Sequence, residues 1–343
     1  MIAEASSPLL ASATPESAVA RLADYRVPSV SRSVWQLCST LAGFVLCWAL
    51  AWFSLRHSYL LTLLLAVPTA GFLVRLFILA HDCGHGSFFR SKQANDIVGS
   101  LLGVFTLTPY SRWRKQHAIH HATSGNLDRR GIGDVHMLTV REYEQRTPRQ
   151  QWAYRVYRHP LVLFGIGPLL YFVVLQRLTF EPRTWKKERR SVHLTNLAMA
   201  ASVVGMCWWL GWASFLLVHA PTVVFASSAG VWLFYVQHHY EAAYWRHQEH
   251  WDYVAAGLAG SSYYVLPRWL AWFTADIGLH HIHHVDSHIP NYRLAACFHD
   301  HPQLQQALRL TIRESLRCAR LKLWDEESGK MVGFDRHEGS ANQ

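Results

Sequence analysis

Residues 58–85 read SYLLTLLLAVPTAGFLVRLFILAHDCGH, an apolar run that ends in two histidines four residues apart. About 20 apolar residues carry an α-helix across a hydrocarbon core of ~30 Å, and the run from Ser58 to Ala80 is long enough. The same helix can continue past Ala80, which would hold His81 and His85 on a rigid stalk just outside the bilayer. Arg75, near the end of the run, is expected to snorkel its charge to the interface. Upstream, Trp35–Leu55 is a second apolar run, separated from the first only by Arg56 and His57. The two therefore predict a tight helical hairpin.

Farther along, Leu194 to Val236 is apolar but interrupted at His219-Ala220-Pro221. This predicts spans over 194–218 and 222–236, with Trp208, Trp209 and Trp212 at the outer interface, as Trp52 is on the first hairpin. A shorter apolar segment, Leu161 to Leu178, carries Arg149, Arg155 and Arg158 before it. Arg183, Lys186, Lys187, Arg189 and Arg190 follow it. Basic residues on both flanks put both ends on the cytoplasmic side, and Gly165-Ile166-Gly167-Pro168 breaks its middle. A re-entrant or interfacial segment is expected there instead of a fifth span.

The fold class read from this pattern is an all-α integral membrane protein. Four transmembrane helices in two hairpins (about 35–55, 58–80, 194–218 and 222–236) lie under a cytosolic helical cap made from residues 81–160 and 238–343. Residues 31–343 form one domain, and residues 1–30 a polar, mobile tail without the basic start and apolar stretch of a signal peptide. Ile97–Pro109 is too short to span and is expected to lie in the interface. Leucines at helical spacing over Gln303–Trp324 suggest an amphipathic surface helix.

Composition sets further bounds. Half of the 343 residues are hydrophobic and only 16% are charged, which excludes disorder or a coiled coil as a description of the whole. The formal charge of +10 suits anionic lipid or an acidic protein partner. The basic residues are not gathered on one polar module, so nucleic acid is not an expected partner. None of the six cysteines forms a C-x-x-C pair, which removes thiolate zinc and iron–sulfur sites. Histidine is unusually abundant, with 22 in the chain, and it is the commonest metal-binding side chain.

Three histidine groups stand out: His81-x-x-x-His85, His117-x-x-His120-His121 and His280-His281-x-His283-His284. Helix positions i, i+3 and i+4 share a face, so each group can aim two or three imidazoles at a common point. Without His281, which is off the i, i+3, i+4 spacing, eight such rings exceed what one tetrahedral zinc can use and suit two adjacent metal ions with open positions. Asp82, Asp134, Glu241 and Asp276 are candidates to hydrogen-bond an imidazole and fix its tautomer. The remaining histidines, such as His136, His219 and His247, lack this spacing. A histidine-lined metal transporter is a competing reading, but transporters place ionisable groups near the bilayer midplane, and these groups fall outside the apolar runs.

HDCGHGSFF, RWRKQHAIHHATSGNLD, IGLHHIHHVDSHIPNYRL and LWDEESGKMVGF, in this order and with membrane hairpins before the first and between the second and third, resemble the membrane fatty acyl desaturases over roughly Leu60–Phe334. The first of these is similar to the bacterial delta-12 (omega-6) acyl-lipid branch. The resemblance implies a non-haem di-iron centre held by His81, His85, His117, His120, His121, His280, His283 and His284. A ninth ligand is implied in the Gln237-His238-His239 segment, with His238 as the choice and His239 as its rival. His281 is an extra histidine in the third group, pointing away if that stretch is helical, and no catalytic residue beyond the ligands is expected. The implied activity is O₂-dependent insertion of a cis double bond in a long acyl chain, delta-12-like on a lipid-linked monoene. An acyl-lipid or alkane hydroxylase of the same superfamily is the alternative. Two Fe ions are the expected cofactor, replaceable by zinc on overexpression. The expected partners are the bilayer, a long-chain acyl substrate, O₂ and a separate electron donor, a ferredoxin or small haem cytochrome with its reductase. A bacterial inner-membrane location is expected, with the active site on the cytoplasmic face.

Overall fold

The computed structural model describes residues 22–335. Four helices in it are long and apolar enough to cross a membrane: α1 (Val30–Ser54), α2 (Tyr59–His85), α5 (Lys186–Leu210) and α6 (Trp212–His238). Between the two pairs lie α3 (Lys92–Phe105) and α4 (Tyr110–Thr123), and after them come α7 (His280–Val285) and α8 (Asn291–Asp300). The result is the expected integral membrane fold, mostly helical, with two long hairpins and a cap. Large apolar side chains stay exposed along the spans, among them Leu46, Leu64, Leu197 and Val204. Hydrocarbon, not water, is the solvent that such surfaces suit.

The first hairpin turns at Arg56 and His57, as its sequence predicts, and a 2.8 Å hydrogen bond between the Ser54 and Thr62 hydroxyls ties its two arms. Helix α2 does continue past Ala80. It stops after His85 because Gly86, at φ 74°, takes the left-handed conformation that ends a helix without a Cβ penalty. The second hairpin differs from expectation. Its turn falls at Gly211, between Leu210 and Trp212, and not at His219-Ala220-Pro221. Gly211 sits at φ 83°, ψ 137°, a backbone state open to glycine. Pro221 is instead carried inside α6, where it forfeits one backbone donor. The Trp208, Trp209 and Trp212 triplet therefore brackets the turn itself, and all three rings are exposed.

Three further expectations are corrected. Arg75 does not snorkel: its side chain is buried, donating to Thr40 Oγ1 at 3.1 Å and to the Trp272 carbonyl, with its guanidinium 4.2 Å from the Trp272 ring centre. The short helix Arg268–Phe273 folds back on α2 and covers it. Gln303–Trp324 is not one amphipathic helix. It breaks into a 3₁₀ turn, a strand, a helix over Ile312–Cys318 and a second strand. A capping box of Thr311 and Glu314 starts that helix afresh. Residues 1–21 of the tail lie outside the described residues, but 22–30 are docked: Leu22 is buried against Leu294 and its neighbours, and Arg26 donates to Asp286 at 2.6 Å.

The Leu161–Leu178 segment is interrupted, running from a π-helical stretch at Val162–Ile166 through Gly167–Val173 to a 3₁₀ turn at Leu175–Arg177. It bends 56° from the preceding helix, Pro148–Tyr157. Helix α3 exposes Ile97, Leu101 and Phe105 along one stripe and buries Gly99, Leu102 and Gly103 on the other side. This arrangement suits a helix lying in an interface. The cap also holds two small sheets. One has β1 (Leu138–Thr139) parallel to β4 (Leu323–Asp325), which pairs antiparallel with β5 (Lys330–Val332); the other pairs β2 (Tyr263–Val265) in parallel with β3 (Arg309–Thr311).

Candidate metal centre

Helix geometry distributes the histidines. Positions 81 and 85 share one face of α2, and positions 117 and 121 one face of α4, while His120 and His121 diverge by about 100°. Helix α7 divides His283 from His284 in the same way, and His238 arrives as the last residue of α6. Two groups result. His81, His85, His117, His121 and His283 bring five ring nitrogens within 4.8 Å of one another, and His120, His238 and His284 bring three within the same limit. His280 joins the second group through His238, with Nε2 atoms 2.9 Å apart. The stacked rings of His121 and His284, 4.1 Å between centres, lie where the groups meet.

Each neutral imidazole carries one N–H and one lone pair. In the first group, Nε2 of His121 lies 3.1 Å from Nε2 of both His117 and His283. Buried Nε2 atoms of His85, His120 and His284 have no hydrogen-bond partner among the described residues. Buried ring nitrogens without partners are costly, and these point into the two groups, His85 into the first and His120 and His284 into the second, where a cation would satisfy them. Burial, and then the neighbouring rings, push His117, His121, His280, His283 and His284 well below the ordinary histidine range. These rings are therefore neutral near pH 7, the form that binds metal. An all-nitrogen donor set in two adjacent groups fits two transition-metal ions with imidazole ligands.

Surrounding groups orient several rings. Asp134 accepts a hydrogen from His120 Nδ1, leaving Nε2 aimed at the second group. Burial opposes ionisation of Asp134, but the adjacent His120 ring and its hydrogen bond hold the carboxyl below the usual carboxylate range. His238 Nδ1 donates to the Gly260 carbonyl at 3.2 Å, with the same consequence for its Nε2. His81 Nδ1 donates to Asp82 Oδ1 at 3.3 Å, and the other Asp82 oxygen accepts from the amide and side chain of Asn291, both at 2.8 Å. Trp113 stacks on His117 with ring centres 4.5 Å apart. Asn291 is not singled out by sequence, although it stands in the HIPNY stretch that begins four residues after His284.

Other candidates lie elsewhere. Glu241 is exposed and pairs with Lys330 at 3.5 Å, so it supports no histidine here. Asp276 is half-buried, with Arg75 as its charge neighbour. His281 donates to the Leu304 carbonyl at 3.0 Å, away from both groups. His239 is buried with neither ring nitrogen partnered, and it stacks on Tyr235 at 4.5 Å outside the two groups.

Comparison with known proteins bears on what such a centre does. The family model described as fatty acid desaturase matches residues 57–315. A fatty acid desaturase of Bacillus subtilis (strain 168) is 46% identical over 314 residues, covering 92% of this chain and 89% of the relative. A sn-1 acyl-lipid omega-3 desaturase (ferredoxin) of Synechocystis is 31% identical over 64% of this chain. A chloroplastic omega-6 fatty acid desaturase of Glycine max is 28% identical over 67%. These last two alignments span only 61% and 53% of the relatives' own lengths.

Proposed function

The chain belongs to the fatty acid desaturase family, and from that premise we propose that it inserts a cis double bond in a long acyl chain, delta-12-like, on a monoene already esterified to lipid. The observation that carries this reading is the pair of adjacent, buried, all-imidazole groups on the polar side of the spans. In the proposal the first group holds one iron and the second, completed by His280, the other. When bound, the metal pair supplies the O₂ chemistry that an unactivated C–H bond requires.

The protein's own residues do the rest. An acyl methylene has no acidic proton, so no side chain acts as its base. Asp134, Asp82 and the Gly260 carbonyl hold ring tautomers, keeping lone pairs on the metal side. Phe234, 5.1 Å from the His120 and His238 rings, and Trp113 wall the groups with apolar surface and help exclude water. The balance is one O₂, two hydrogens and their electrons from the chain, plus two electrons and two protons from outside, giving an alkene and two waters. The outside electrons need a separate donor, for which an acidic ferredoxin or small haem cytochrome with its reductase is proposed, steered by the basic cap and hence salt-sensitive.

The proposed location is a bacterial inner membrane with the histidines facing the cytoplasm. Support comes from the tightness of both hairpin turns and from the basic residues after Leu178. Leu161–Arg177 then enters and leaves on the same side. Expression in a host that lacks polyunsaturated lipids, followed by mass spectrometry of its acyl chains, tests the function. A diene should appear at the expense of the monoene, and only in air. A hydroxylated chain without diene would assign a hydroxylase instead, and an unchanged profile with a competent donor present would defeat the proposal.

A further inference from the structure

Away from the histidines, a surface groove of 370 Å³ is lined by Arg183, Lys186, Arg189, Arg190, His193 and Leu194. No carboxylate lines it. The two acids closest in sequence are engaged elsewhere: Glu181 accepts from Arg112 at 3.1 Å, and Glu188 pairs with Lys115 at 3.6 Å. Arg183, Lys186 and Arg190 are exposed and have no acidic partner among the described residues. Four cations with no counter-charge on one small surface repel one another unless an anion sits among them.

Two further features give the groove a direction. It starts at the N-terminus of α5 and runs along one face of its first turns, and Trp185 at the cap position offers no side-chain acceptor to the leading amides. Unsatisfied amides and the helix dipole there favour a phosphate. Arg189 is also pre-oriented, donating to the Glu181 carbonyl at 3.1 Å, and Arg112 on α4 grips that same loop. The other side of the groove is apolar. Leu194 is part of the lining, Leu197 one turn on is exposed, and both open the span that enters the bilayer. Phe180, three residues before Arg183 in the chain, is exposed as well.

We propose that this groove seats the phosphate headgroup of an anionic phospholipid, whose acyl chains lie along Leu194 and Leu197. Free phosphate would use the same cations but has no use for the apolar wall. The seat is also tied to the histidine-bearing helix. Ser191 Oγ accepts from the Ser111 amide at 3.1 Å, and the Lys115 ammonium lies 4.0 Å from the Trp185 ring centre. These contacts brace α4 against α5 beside the groove. The inference rests on the membrane placement of α5 and not on the reaction proposed above.

The full chain, purified in neutral detergent, is offered phosphatidylglycerol or phosphatidylcholine with identical acyl chains, and native mass spectrometry counts the lipid retained. Wild type should keep one phosphatidylglycerol per chain in preference to phosphatidylcholine. Each cation near a lipid headgroup is worth roughly fivefold in affinity, so Arg183→Gln/Arg190→Gln should retain it roughly twenty-five-fold more weakly. Lys186→Gln alone gives a graded, roughly fivefold loss if the double variant is too unstable to purify. Arg129→Gln/Arg141→Gln, elsewhere on the cap, should match wild type. Equal retention of both lipids, or undiminished phosphatidylglycerol in both groove variants, would overturn the proposal. Displacement of the lipid by inorganic phosphate alone would assign the groove to free phosphate and overturn it too. None of these readings depends on acyl-chain products, so failure here and failure of the desaturase reading are separate outcomes.

Discussion

Asp134→Asn isolates the second histidine group. One oxygen of Asp134 takes the His120 Nδ1 hydrogen, and the other accepts from the Gly131 amide at 3.2 Å. Asparagine keeps the shape and one acceptor, but it removes the charge and turns an NH₂ towards the Gly131 N–H. One attraction becomes a donor–donor conflict, and the His120 tautomer is held less firmly. Loss of such an orienting partner typically lowers metal affinity about 10–100-fold, which corresponds to ~1.4–2.7 kcal/mol. His120 is the one histidine that Asp134 hydrogen-bonds among the described residues, so the loss should fall on the group of His120, His238 and His284. The assay is metal analysis after dialysis against a graded chelator series. Wild type should hold two equivalents over the range in which Asp134→Asn falls towards one. Asp82→Asn, which contacts His81, should weaken the other ion instead. Unchanged retention in Asp134→Asn, or simultaneous loss of both ions at one chelator concentration, would refute the assignment of Asp134 to a single group.

Acidification should release the metal. The depressed histidines bind protons more weakly in the folded chain than in the unfolded one, whose value is near 6.5. Their contribution to stability is thus complete above about pH 6.5 and is lost as pH falls below it; metal content and melting temperature, measured from pH 7.5 down to 5, should decline together. For topology, a cysteine at position 187 should be shielded from an impermeant reagent in intact cells, while one at position 57 reacts; labelling at 187 from outside would mean that Leu161–Arg177 crosses the membrane. Gly211→Val should cost about 1–3 kcal/mol from backbone strain alone, because a Cβ there meets nothing within 4 Å. Gly205→Ala, equally open and without positive φ, should leave the melting temperature in detergent level or slightly raised.

Spacing marks the histidines that the fold brings together but not how they are shared out. Each group in the chain suggests rings aimed at one point, yet the folded molecule splits the second and third groups between two points. The cause is angular: His117 and His121 are four residues apart and nearly aligned, while His120 stands about 100° from its neighbour. Which group each ring joins depends on where α2, α6 and α7 lie around α4, and no linear pattern carries that. The same limit hides Asn291, and also which ring the candidate Asp134 serves, since they reach Asp82 and His120 only after loops close across the cap. Gly211 shows a different failure. Proline is the louder breaker in a sequence, but Pro221 costs a helix one hydrogen bond, whereas reversing direction within a residue or two needs a backbone state such as φ 83°. Adjacent histidines then take on a structural meaning. The pairs His120-His121 and His283-His284 each put one ring in either group. Two short covalent links thus hold the groups beside each other, where isolated histidines at i and i+4 would build only one.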